Sequence, residues 1–473
     1  MGHLILAAIL LGWVWLIRKD TARRGNLSPA LWIPTLWLGI ICSRPVSVWL
    51  GGSPASSDPS YSLEGSPADR NFFLVMILAS LFVLWRRGIS WGKVARKNWP
   101  VFVFYGYLLL STLWADSTIV SAKRWIKEAG NIAVVLVILS ETNPEQAFRA
   151  VFSRCAYLLF PLSILFIRYI PDLGRAYSIH SGQFQAIGVT LQKNSLGVMA
   201  LVCSLSLIWD ILEFILHSRR GQYSGTAGEP GHPPRRSRMN VWVGLYAPLA
   251  TLLMGVWLLR TSDSKTSIAC LALGGSILCS ICLPVFRKRI AAMGFFVFAG
   301  IGVAILLDSL FGIKDWLVQF MGRDLTFTGR TDVWRELLAL NTDPVFGTGF
   351  CSFWSDPHYR SRLPEWVEAS AHNGYLETYI DGGFLALSLL AVLMVASIRN
   401  VNRQLAVAGN YALMRLAILL ITLTANYSES NFGRMTPLGF AFLLAVFDLP
   451  KSVHRKPGLQ APSRPELEPS TLS

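Results

Sequence analysis

Charged residues are scarce in this chain: Asp, Glu, Lys and Arg make up 15% of its 473 residues, where soluble domains carry about a quarter. No stretch is polar and long enough to form a separate soluble domain of ordinary size. Cysteine is sparse as well. Six of the seven lie in apolar runs and Cys351 stands alone, so neither a disulfide framework nor a zinc site is expected. Cys279 and Cys282 have C-x-x-C spacing, but inside an apolar run that spacing reads as packing. No H-E-x-x-H, G-x-S-x-G or P-loop pattern occurs. Asp308, Asp315, Asp324 and Asp332 are scattered rather than clustered, so no metal site and no cofactor is expected. There is no internal repeat.

What is abundant is apolar. The chain is 52% hydrophobic, with 17 Trp and 26 Phe, a composition suited to lipid-facing surfaces and interfacial belts. Apolar runs fall at 3–17, 29–50, 71–85, 100–114, 129–140, 151–170, 195–216, 241–259, 266–286, 290–310, 374–397, 411–426 and 435–449. A span needs about 20 apolar residues, so the short runs 71–85 and 129–140 also fit tilted or re-entrant pieces. The expected fold is all-α, a polytopic membrane bundle of about 12–13 spans. Its regions are an N-terminal membrane region, 1–190, central spans, 191–310, a large outer loop, 311–373, C-terminal spans, 374–449, and a polar, Pro-rich tail, 450–473, expected to be disordered.

Charge sets the expected orientation. Only Met1, Gly2 and His3 precede the first run, and Arg18, Lys19, Arg23 and Arg24 follow it, the reverse of a signal peptide. Basic clusters recur at 86–97, 217–240, 287–289, 399–403 and 451–456. With alternating spans all of them fall on one side, which the positive-inside rule makes cytoplasmic. The net charge of +15 is therefore split among short loops, unlike the single stripe of a nucleic-acid binder. Nucleic acid is not expected as a partner. The bilayer is.

Against that rule, the outer side is also basic. Loop 311–373 holds Lys314, Arg323, Arg330, Arg335, Arg360, Arg362 and His372, and shorter outer segments add Lys123, Arg124, Lys127, Arg175, Lys193, Arg260 and Lys265. These are either solvated and headgroup contacts or the cations of an anionic-ligand site. Arg330 sits in Thr328-Gly329-Arg330-Thr331-Asp332-Val333-Trp334-Arg335, a helix start whose apolar face is Val333, Trp334, Leu337 and Leu338. Its guanidinium suits phosphate oxygens, or pairs with Asp332 or Asp324. Asp343-Pro344 ends that helix and Gly347-Thr348-Gly349 forms a tight turn. His372 precedes the span from 374, where the helix dipole disfavours imidazolium and leaves a neutral ring able to accept a proton. Lys193, in Lys193-Asn194-Ser195-Leu196-Gly197, and Lys265, in Ser264-Lys265-Thr266, stand at span ends, where either could also snorkel.

This ordered set resembles the O-antigen ligase and polysaccharide polymerase family of bacterial envelopes. The matching pieces are Lys193-Asn194-Ser195-Leu196-Gly197, Ser264-Lys265-Thr266, Gly329-Arg330-Thr331-Asp332-Val333-Trp334, Pro344-Val345-Phe346-Gly347-Thr348-Gly349 and His372-Asn373-Gly374-Tyr375-Leu376-Glu377. The resemblance covers about 190–390. It implies a metal-independent glycosyltransferase of the inner membrane, with its site facing the periplasm. The implied partners are a glycan on undecaprenyl diphosphate as donor and a glycan or lipid acceptor. By resemblance, His372 is the base that activates the acceptor hydroxyl, and Arg330, Lys265 and Lys193 bind the diphosphate. Asn373, Glu377 and Asn194 support them. Lys265 stands where the ligases carry Arg, which keeps the charge but loses the bidentate fork and brings the chain nearer to exopolysaccharide polymerases. A transporter or flippase for lipid-linked sugars is the alternative. It would place ionisable residues near the membrane midplane and show repeated halves. Arg44, Arg154, Arg168, Asp210, Glu213 and Arg415 are its candidates, most of them near span ends.

Overall fold

The computed structural model describes residues 2–25, 27–52, 66–177, 182–219, 241–283, 285–286, 289–296, 330–367 and 369–449. The expected span 290–310, most of loop 217–240, Asp324 and the tail lie largely or wholly outside them.

The protein is an all-α membrane bundle. Its main helices are α1 (Gly2–Arg24), α2 (Trp32–Ile41), α3 (Pro67–Arg86), α4 (Trp99–Ser111), α5 (Thr118–Leu139), α6 (Pro144–Tyr169), α7 (Lys193–Arg219), α8 (Ala247–Ser262), α9 (Lys265–Cys279), α10 (Arg330–Ala339), α11 (Gly374–Ala425) and α12 (Pro437–Val446). Among the described residues, six helices are long and apolar enough to cross a membrane and four apolar helices are shorter. The short run 71–85 extends to a full 20-residue helix, Pro67–Arg86. The run 129–140 is the second half of α5, whose first half carries Lys123, Arg124, Lys127 and Glu128. Those cations are therefore helical. The apolar run is shorter than the helix because charge interrupts it, while the helix continues by burying one face against the rest of the protein.

Local chemistry starts several helices in the same way. Ser66, Asn143 and Thr436 each accept a backbone N–H of the first turn and are followed by proline, which needs no N–H there. Packing then sorts the helices. In α6 and α7, 78% of the apolar stretch is buried, against 17% in α3. The former are interior and the latter faces lipid. α7 packs on α6, α8 and α9, and α11 packs on α4, α9 and α12.

α11 is not one straight span. Its backbone leaves the helix at Gly382 and Gly383, and again at Gly409 between the two expected apolar runs. The first break is filled by the 344–349 turn. Thr348 and Gly349 donate their N–H to the carbonyls of Ile380 and Asp381, at 2.8 and 3.0 Å, and Phe384 N donates to Pro344 O at 2.8 Å. Freed backbone groups inside a membrane bundle need such partners. Gly383 has φ 63° and lies against the Val345 carbonyl where a Cβ would stand, so both conformation and space call for glycine.

The described part of the 311–373 loop has its own small core. Leu337, Phe353, Leu363, Val367, Ala371 and Ile380 are buried together. Leu338, expected on the apolar face of α10, is 62% exposed.

Candidate active site

A cavity of about 940 Å³ opens at the end of the bundle where α7 and α11 begin. Its wall includes Asn194, Arg360, Glu365, Ser370, His372 and Glu429. His372 is held there by its neighbours in sequence. Ala371 N donates to Glu377 Oε1 at 2.8 Å, and Ala371 O accepts from Trp334 Nε1 at 2.8 Å. His372 N donates to Ser370 Oγ at 3.1 Å. These bonds fix the backbone leading into a left-handed His372, φ 47°. Such strain costs about 1–3 kcal/mol and persists only where surrounding contacts impose it. Asn373 follows as the N-cap of α11, its Oδ1 accepting from Tyr375 N and Leu376 N. Its part is to start the helix.

The segment that unites the site is the connector 426–436, between α11 and α12. Gly374 N donates to Asn426 O and Glu429 O, at 2.8 and 3.0 Å. Glu429 Oε2 stands 4.0 Å from His372 Nδ1, and Glu429 Oε1 3.3 Å from Arg330 Nη2. Arg330 also donates to the Ser428 carbonyl. Ser428 Oγ shares a hydrogen bond with Thr266 Oγ1 at 2.7 Å, beside Lys265. Gly197 in turn lies where a Cβ would be 2.8 Å from Ser264 Oγ. The Lys265, Arg330 and His372 motifs thus meet through a connector that none of them contains, with the Lys193 motif packed on the Lys265 motif.

The charges are arranged differently from the expected open cluster of cations. Arg330 pairs with Glu429 rather than with Asp332, which pairs instead with Arg335 at 3.0 Å. Lys265 Nζ pairs with Asp263 Oδ1 at 3.0 Å. Neither Arg330, Lys265 nor Lys193 lines the cavity, although Asn194, next to Lys193, does. Among the described residues, the wall itself carries one guanidinium, Arg360, and two carboxylates, Glu365 and Glu429. Arg360 is fixed by donating to Val367 O at 2.7 Å.

Arg434, also on the connector, braces the site from behind. It reaches Glu377 Oε2 at 3.1 Å and Asp381 Oδ2 at 2.9 Å, and donates to Cys351 Sγ. Burial works against the guanidinium charge, but Asp381, with Cys351 and Glu377, holds it well above its ordinary range. Burial likewise pushes the Cys351 thiol up to about 12. Cys351, far from being isolated in a loop, also accepts from Arg124 through its carbonyl. Glu377 therefore links Arg434, Trp354 and the backbone before His372. Neither Glu429 nor Arg434 was singled out by the sequence. The available signal was a short polar connector carrying one charge of each sign between two apolar runs.

Residues 249–391 match the family model described as O-antigen ligase. Over this segment the chain is similar to the O-antigen ligases. The matched segment contains Lys265, Arg330 and His372 and stops before Glu429. The chain is also similar to the exopolysaccharide production protein ExoQ of Rhizobium meliloti (strain 1021), at 24% identity over 325 residues. That match covers 65% of each chain, so this chain spans under two thirds of its relative's length. Three of the residues named as flippase candidates are structurally engaged. Asp210 is held by Arg23, Arg24 and Arg149. Arg415 donates to Ala445 O and Phe447 O, and Arg44 donates to Thr190 O and Gly188 O.

Proposed function

We propose that this protein is an inner-membrane glycosyltransferase that ligates or polymerises a glycan from an undecaprenyl-diphosphate donor onto an acceptor hydroxyl at the periplasmic face. One observation carries the reading. A histidine on the cavity wall and an arginine beside it share one carboxylate, Glu429, within the reach of the family's motifs.

In this reading Glu429 faces His372 Nδ1 and favours the proton on that nitrogen, which leaves Nε2 as the acceptor. His372 takes the proton of the acceptor hydroxyl as its oxygen bonds to the anomeric carbon. The bond from that carbon to the diphosphate oxygen breaks, and undecaprenyl diphosphate leaves with the electron pair. Attack opposite the leaving group inverts the anomeric centre. Negative charge grows on the diphosphate, so cations aimed at it lower the barrier. Arg330 supplies one by exchanging Glu429 for phosphate oxygens. Lys265, paired among the described residues with an Asp263 that is itself 65% exposed, supplies a second, with Lys193 and Arg360 at the margin. No step calls for a metal ion.

The test is glycan transfer by purified protein from an undecaprenyl-diphosphate donor. Wild-type protein should form the product with EDTA present, and His372→Gln should not. Transfer by wild type that is lost on adding EDTA, or normal transfer by His372→Gln, would overturn the mechanism. A wild type that moves intact donor across a vesicle bilayer without transfer would make it a flippase.

A further inference from the structure

A second basic recess, about 400 Å³, lies at the same end of the bundle. It is lined by Ile167, Arg168, Arg175, Phe184, Trp257 and Thr261. Arg168 is in the last turn of α6. Arg175 opens β1 (Arg175–Tyr177), which pairs with β2 (Phe184–Ala186). Each guanidinium lies over an aromatic ring, Arg168 at 5.2 Å from the centroid of Trp257 and Arg175 at 5.7 Å from that of Phe184. Stacking fixes the plane of each group and leaves its in-plane N–H donors to point elsewhere. Arg175 uses one, Nε, on Ile167 O at 2.8 Å.

What the recess lacks is a negative charge. Among the described residues, no carboxylate lines it, whereas the larger cavity carries Glu365 and Glu429. Two guanidiniums drawn into one recess repel each other unless an anion lies between them, and phosphate matches their fork geometry. The approach to the recess is apolar. Leu249, Leu253 and Val256 are exposed along one face of α8. Their spacing of four and three residues makes a stripe that runs up to Trp257 and Thr261. A ligand that follows both features has a hydrocarbon chain on the stripe and a phosphate in the recess.

The recess is also close to the larger cavity. From Phe184 on the recess to Leu191 on the cavity wall is seven residue steps, at most about 25 Å of chain. The connector 170–192 thus contributes Arg175 and Phe184 to the recess and Leu191 and Gln192 to the cavity.

We propose that the Arg168–Arg175 recess binds the phosphate of a lipid, so that a second lipid sits beside the candidate active site. That this lipid is the carrier of the acceptor rests on the transferase reading. The phosphate site itself does not.

Native mass spectrometry of the purified full-length protein tests the site without requiring turnover. The probes are undecaprenyl phosphate, phosphatidylglycerol and inorganic phosphate. Losing a charge-assisted bond costs about 1.5–3 kcal/mol, so Arg168→Glu should weaken binding of one lipid by about 10–100-fold. Arg168→Lys should keep part of it. Arg175→Gln should weaken the same lipid, and Arg330→Ala should not affect it. Tighter binding of undecaprenyl phosphate than of phosphatidylglycerol supports the acceptor role. Equal binding of the two keeps the lipid site but overturns that role. Unchanged lipid binding in both Arg168→Glu and Arg175→Gln, in correctly folded protein, overturns the proposal, as does binding of inorganic phosphate with no lipid retained.

Discussion

Arg330 and Glu429 stand 3.3 Å apart, nitrogen to oxygen, and this ion pair fastens the start of α10 to the connector that also faces His372. The cation assigned to the donor diphosphate is thus already neutralised by a carboxylate on the cavity wall. Donor binding has to displace Glu429 or share Arg330 with it. This relationship decides what several substitutions should do.

Glu429→Gln should separate binding from turnover. Removing the carboxylate leaves Arg330 free for phosphate, so KM for the donor should fall. The same change leaves the His372 ring without its charged partner, so kcat should fall too. Turnover should drop on acidification in the wild type, because an imidazolium cannot accept the acceptor's proton. A neighbouring carboxylate stabilises imidazolium, so without it the acid limb should move to lower pH. Steady-state kinetics across pH checks this. An unmoved acid limb would remove Glu429 from the base's surroundings.

Arg330→Ala should abolish transfer, and Arg330→Lys should retain only a small part, since an ammonium keeps charge but not the fork. Lys265→Arg should stay active because charge is preserved. The measurement is product formed per mole of folded protein. Near-normal turnover by Arg330→Ala would exclude a diphosphate clamp there.

His372→Ala should lower the rate by about 10²–10⁴-fold, the usual worth of a general base. Donor binding should persist, because in the proposed mechanism the cations, not His372, hold the diphosphate. Equilibrium binding of an undecaprenyl-diphosphate analogue, measured beside turnover, tells the two apart. Equal loss of both would make His372 a binding residue.

Arg434→Ala should act through stability. It strands Glu377 and Asp381, whose side chains are 5% exposed, without their cation. Breaking a buried pair from one side costs about 3–5 kcal/mol, and partial exposure of Arg434 places the loss near the lower end. Thermal unfolding in detergent should show it. Wild-type stability in Arg434→Ala would mean that the backbone bonds around Ala371 hold the His372 turn unaided.

Orientation is checked by labelling with an impermeant thiol reagent in cells whose outer membrane has been permeabilised, on a background without native cysteines. Ser361→Cys should react and Lys93→Cys should not. The reverse pattern would turn the protein over and place the His372 cavity in the cytoplasm.

Composition and apolar spacing alone established the membrane class, the all-α architecture and the position of nearly every helix within the described residues. They could do so because burial in lipid demands long apolar runs and internally bonded backbone. The motifs around Lys193, Lys265, Arg330 and His372 were legible for a related reason: each sits at a helix end, where charge and chain direction change together. The pairing of these motifs was decided by tertiary structure. Glu429 lies 99 residues from Arg330 and Arg434 lies 57 from Glu377, and no local period relates such positions. The break at Gly382-Gly383 was equally hidden, because two glycines in an apolar run look the same whether the helix continues or a turn from 344–349 fills the gap. Local sequence chooses the elements through backbone hydrogen bonding and burial. Which carboxylate meets which cation depends on how those elements pack, and that choice is what makes Glu429 the centre of the site.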